Sequence, residues 1–148
     1  MRDRAVSTAL NYVLVLAIVA VLVSGLFLGM SGFLEDRRSG AVRTELSVVG
    51  NRLATDLGTA ERLALTGDAR TVRVSVEIPA RVSGTDYAVE LSRIAPEQYR
   101  LVLRAPTTDV STAVRLRSQV PIRPTTVAGG DLRIVYDSAT DRLEVVDG

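Results

Sequence analysis

Cysteine, histidine, tryptophan and lysine are all missing from this sequence, and each gap removes a class of mechanism. Without cysteine or histidine there is no disulfide, no thiolate nucleophile, no cysteine for a lipid anchor and no Cys/His zinc site. Acid–base chemistry would have to rest on carboxylates, yet no pair of Asp or Glu lies in an apolar context that would tune one of them as an acid. Asp36 beside Glu35, and Asp131, Asp137 and Asp141 further on, read as solvated loop and cap residues. Asp137 and Asp141 also lack the regular acidic ladder of a calcium loop. The inventory argues against an enzyme and calls for no cofactor and no metal. Long runs of like charge are missing too: 18 basic residues, every one an arginine, are spread among 17 acidic ones for a net charge of +1. That pattern supplies no basic arm for nucleic acid and no acidic tail.

What the chain does have is a long apolar run. No charged residue stands between Arg4 and Glu35, and residues 12–34 are dominated by Val, Leu, Ala, Ile and Phe. About 20 such residues at ~1.5 Å rise span the ~30 Å hydrocarbon core of a bilayer, so the segment predicts a single transmembrane helix. Ser24, Ser31, Gly25, Gly29 and Gly32 are tolerable there because a helix satisfies its own backbone. Gly25 and Gly29 form a G-x-x-x-G spacing that lets two helices approach closely. A cleaved secretory signal begins in a similar way, but its apolar region stops after about 7–15 residues; this one continues well past that, which argues that it is retained. Arg2 and Arg4 precede the run and Arg37, Arg38 and Arg43 follow it, so arginine counting leaves the orientation open.

Asp3-Arg4-Ala5-Val6-Ser7 leads straight into the apolar run, and this junction resembles the class III signal peptide of archaeal type IV pilins, in particular the haloarchaeal pattern. The resemblance implies a prepilin peptidase that cuts between Ala5 and Val6, on the cytoplasmic side, with Arg4 as the basic determinant and Val6 as the new N-terminus. It also implies an outside location for the bulk of the chain and other pilin-like subunits as partners. Leu10 stands where bacterial pilins carry a glutamate. The segment from Thr8 to Tyr12 lacks the proline and glycine often found in major haloarchaeal pilins, which points to a pilin-like or minor subunit.

Past the polar stretch of residues 35–40, Val42, Leu46, Val49, Leu53, Leu57, Ala60 and Ala64 recur at steps of three and four. They predict an amphipathic helix that packs on its own domain and stops near Gly67-Asp68. From Thr71 the period becomes two. Val72-Val74-Val76-Ile78 up to Pro79, Tyr87-Val89-Leu91, Tyr99-Leu101-Leu103, Val114-Leu116, Leu132-Ile134-Tyr136 and Leu143-Val145 predict about six short strands, with turns at residues 83–86 and 137–141. Residues 120–124 carry Pro121 and Pro124 and read as an irregular or edge element. Arg73, Arg100, Arg115, Arg117 and Arg133 occupy alternate strand positions and read as a solvated face, diluted by Glu77, Glu90 and Glu144, rather than as a nucleic-acid surface.

The expected fold is therefore α+β: a long N-terminal hydrophobic helix continuing into an amphipathic helix, packed on an antiparallel sheet or small sandwich. The expected organisation is a leader at residues 1–5, a transmembrane and assembly helix at 6–34, a polar exit with amphipathic helix at 35–67, and an extracytoplasmic β-rich head at 68–148. The functional expectation is a structural subunit stored in the cell membrane and assembled into, or associated with, a surface filament. A single-pass anchored domain with a binding or envelope role is the alternative.

Overall fold

The computed structural model describes the backbone of residues 2–67 and 70–148 and the side chains of residues 10–30, 32–67 and 70–148. The fold is α+β, with one long N-terminal apolar helix followed by antiparallel sheets. It divides into two compact units, Met1–Arg38 and Ser39–Gly148.

A single helix, α1 (Arg2–Thr66, 65 residues), carries the chain through the first unit and into the second. It is proline-free and built mainly from Ala, Leu, Val and Arg. Nothing in the polar stretch 35–40 removes a backbone donor, so the helix continues there instead of stopping and resuming. It ends before Gly67; the other half of the expected stop, Asp68, lies outside the described residues.

In the second unit the helix buries the stripe that the heptad-like spacing picks out. Val42, Leu46, Val49, Leu53, Leu57 and Ala60 are all buried, and Ala64 packs partly against them. Each of the larger side chains contributes roughly 1.5–3 kcal/mol by leaving water. The periodicity is therefore spent on the chain's own head. Gly50, one position beyond Val49, marks a close approach to the sheet. A Cβ there would lie 2.9 Å from Leu103 Cδ1 and 3.0 Å from Val114 Cγ2.

The strands form two main sheets. One has the order β1 (Thr71–Val76), β8 (Leu132–Asp137), β9 (Arg142–Asp147); the other has the order β6 (Val110–Arg117), β5 (Gln98–Ala105), β4 (Ala88–Ala95), β7 (Thr125–Ala128). A two-residue ribbon, β2 (Arg81–Val82) with β3 (Thr85–Asp86), turns through Ser83 at φ +45° and Gly84 at φ +74°. Two successive positive φ values suit the twist of a tight hairpin. All ladder pairs are antiparallel, with one parallel bridge at Ile122 and Leu143. Inward-facing residues of both sheets, among them Val89, Leu91, Tyr99, Leu101, Leu103, Ile134, Tyr136, Leu143 and Val145, join the helix stripe in one core.

One local feature differs from the sequence expectation. β1 ends at Val76, yet Ile78 is still buried from the following loop. The stretch 120–124 is irregular, as its prolines imply, and bridges the free edge of β9 through Ile122 and Leu143, while Val120 and Ile122 also enter the core. β7, four residues long, is too short to give a period of its own.

Candidate functional site

The feature most in need of a function is the first half of α1. It is the one helix in the described residues long and apolar enough to cross a membrane, and none of its apolar stretch is buried within the protein. Leu14, Leu22, Leu26, Phe27, Leu28 and Phe33 are all exposed, Leu28 to 78%. From residue 10 to residue 34 the helix measures about 37 Å at 1.5 Å per residue, enough for the hydrocarbon core with a modest tilt. Its polar atoms are dealt with locally. Ser24 Oγ donates to Ala20 O at 2.8 Å, one turn back, which hides the hydroxyl from an apolar surrounding. At the polar end of the run the Arg37 guanidinium lies 4.5 Å from the centroid of the Phe33 ring. This cation–π contact lets a charge lie over an apolar side chain.

Gly25 and Gly29 sit on this segment with open space around them; a Cβ at either would meet nothing within 4 Å. Arg4, Ala5 and Val6 fall within the helical backbone, while their side chains lie outside the described residues. Among the described residues none fills the space beside Gly25 or Gly29.

The second unit is tied together by polar contacts that the sequence reading did not single out. Both Glu45 carboxylate oxygens are used, accepting from Ser83 N at 2.6 Å and from Ser83 Oγ at 2.8 Å. Sixteen residues further along α1, Glu61 Oε1 accepts from the Gln119 backbone N–H. The helix is therefore stapled to a hairpin tip and to a loop by two carboxylates. Three tyrosines fix other loops from within. Tyr87 Oη donates to Pro79 O at 2.6 Å, Tyr99 Oη accepts from Ile122 N at 3.0 Å, and Tyr136 Oη donates to Asp141 Oδ1 at 3.0 Å. Burial pushes the Tyr87 hydroxyl up to about 12. Tyr136 is also raised, first by its hydrogen bond to Asp141, then by burial, then by the charges of Asp141 and Asp137. A periodic reading of strands registers these tyrosines as core residues, but their hydroxyl partners depend on tertiary placement.

Two of the acids weighed as chemical groups have structural employment. Asp141 holds the Tyr136 hydroxyl, and Asp137 Oδ1 accepts from Ala139 N at 2.9 Å in the β8–β9 turn. Among the described residues there is no group of three or more His, Cys, Asp or Glu able to hold a metal ion. The hollows on the head are shallow, about 190–230 Å³ each.

No curated protein and no solved structure matches this chain. One family model does, described as a family of unknown function (DUF7266), and it covers residues 1–146. Both the exposed apolar helix and the β head fall inside that span, and the chain belongs to this family.

Proposed function

We propose that the protein is a type IV pilin-like structural subunit, held in the cell membrane by the first half of α1 and assembled from there into, or onto, a surface filament. One observation carries the reading. A single helix has two halves with opposite needs: residues 42–60 bury their apolar stripe in the chain's own head, while residues 10–34 leave theirs uncovered. At roughly 25 cal/mol per Å² of apolar surface, so long a bare run requires an external cover. Lipid supplies it before assembly, and the helices of other subunits supply it afterwards. The junction Arg4-Ala5-Val6, placed directly before that run, is what favours a pilin-like fate over simple anchoring. In this reading the N-terminus is cytoplasmic, residues 39–148 are outside, and a prepilin peptidase is the processing partner.

The test is the mature N-terminus, read by mass spectrometry on protein recovered from membranes. A chain beginning at Val6, with Arg4→Gln left uncut, is the expected result. A chain beginning after Gly32 identifies a conventional secretory signal and removes the proposal. An uncut chain that never reaches sheared surface material identifies the anchored domain instead.

A further inference from the structure

The four-stranded sheet has one face turned to the core and one turned away, and the outer face is built unlike the rest of the head. Its register puts Gln98 opposite Arg117, Arg100 opposite Arg115, and Arg104 opposite Ser111. Residues directly opposite in an antiparallel pair share a face, with Cβ atoms about 4.5–5.5 Å apart. Arg100, Arg104, Arg115 and Arg117 therefore all project from this outer face. None of the four makes a salt bridge or side-chain hydrogen bond among the described residues, whose ion pairs are Arg81–Asp86 and Arg123–Glu144. Glu90, opposite Val102 on β5 and Thr126 on β7, is the carboxylate within the ladder of this face, and Glu97 and Glu61 share a hollow with Arg117 at its end. The sequence spreads its acids evenly, but the fold does not. Glu77 and Glu144, which dilute the arginines in sequence, belong to the other side of the molecule, by β1 and on β9.

Like charges directly opposite each other destabilise a sheet, so the Arg100–Arg115 pair is a cost that the fold carries without a counter-ion of its own. We propose that this face binds an acidic polysaccharide, an extended chain whose carboxylate or sulfate groups lie along Arg117, Arg115, Arg100 and Arg104. Guanidinium forks take such oxyanions bidentately. Gln98, Ser92 and Ser111, interleaved with the arginines, offer amide and hydroxyl partners for sugar hydroxyls. A shallow hollow of about 190 Å³ by Ile94, Gln98, Arg115 and Arg117 gives one ring a seat.

Two observations favour this polyanion over others. Single-stranded nucleic acid needs aromatic platforms, and Tyr87, Tyr99 and Tyr136, the aromatic residues of the head, are all buried. A second copy matches it poorly: Glu45, Glu61, Asp86, Asp137, Asp141 and Glu144 are already engaged, and Glu77 and Asp131, which share one hollow, are too few for a row of four arginines. The choice of a sugar polymer also rests on the proposed outside location of the head.

The experiment measures retention of full-length protein, in non-ionic detergent micelles, on immobilised polygalacturonate, with neutral dextran as the blank. Binding that weakens steeply with salt is expected, and Arg100→Gln/Arg115→Gln/Arg117→Gln should lower affinity by about tenfold or more, as expected when three ionic contacts are lost. Arg73→Gln/Arg133→Gln, on the other sheet, should leave it unchanged. Cooperative unfolding of each variant shows that it is folded. Absence of retention at low salt, equal weakening by the Arg73/Arg133 pair, or tighter binding to a DNA oligonucleotide, polyglutamate or phosphatidylglycerol-doped micelles overturns the proposal. None of these outcomes depends on processing or filaments, so the assembly reading stands or falls separately.

Discussion

Glu45 on the helix and Ser83 at the tip of the β2–β3 hairpin form a two-point contact, in which one carboxylate accepts both the backbone N–H and the hydroxyl of the same residue. Ser83 stands at φ +45°, an uncommon conformation for a residue with a Cβ. The contact thus holds a strained turn against α1. Glu45→Ala removes both acceptors and is expected to lower stability by about 1 kcal/mol, since the site is exposed and water replaces part of what is lost. The urea midpoint of the full-length protein in detergent measures this, and Glu45→Gln, which keeps one acceptor oxygen, should recover part of it.

Gly50 offers a graded test of how closely the helix approaches the sheet. Alanine there gains up to ~1 kcal/mol of helix propensity but needs the ends of Leu103 and Val114 to shift, so Gly50→Ala should be nearly neutral. Gly50→Leu has no such accommodation and should cost about 2–3 kcal/mol by overpacking. Equal thermal midpoints for the leucine variant and the parent would show that the helix can lift away freely.

Tyr87 makes stability depend on alkaline pH. Its hydroxyl titrates near 10 in an unfolded chain and at about 12 in the fold, raised by burial. Because the folded value is the higher one, the associated stability is complete below pH ~10 and is lost as pH rises towards 12. Tyr87→Phe should therefore flatten that part of the stability–pH profile. It should also delete a phenolate component that titrates at about 12.

The glycines of the apolar run separate packing from anchoring. Both Gly25 and Gly29 face open space, so Gly25→Leu with Gly29→Leu should preserve membrane insertion, large apolar residues being welcome in lipid. Recovery in sheared surface filaments should fall by about fivefold if roughly 1 kcal/mol of close helix contact is lost. Undiminished recovery would show that the contact lies on another face of the helix.

Much of the architecture was legible because it is local. The stripe from Val42 to Ala60 and the alternation from Tyr99 to Leu103 each follow from a period that one element imposes on its own residues, and the helix and strands lie where those periods run. The polar stretch 35–40 was harder to read, because charge patterning marks an environment and says nothing of whether the backbone continues. Residues 120–124 show the same limit in reverse: two prolines forbid a regular strand, but they do not keep Val120 and Ile122 out of the core. Least legible were relations across the chain. The spacing of Glu45 and Glu61 gave no hint of Ser83 and Gln119, and the arginines of β5 and β6 become neighbours only once the register is known.

The strand order β1-β8-β9 also sets a timetable. β1 follows closely on α1, yet its ladder partner among the described residues starts at Leu132, more than fifty residues later in synthesis. Until β8 arrives, the apolar side of β1 has no sheet to join, and part of the helix stripe waits uncovered. Pairing over such a separation is slow, and the waiting surfaces are prone to aggregate. A first half of α1 held in lipid would keep nascent chains spaced apart on a two-dimensional surface during that wait. The bare apolar run would then protect the head while it folds, before any copy meets another.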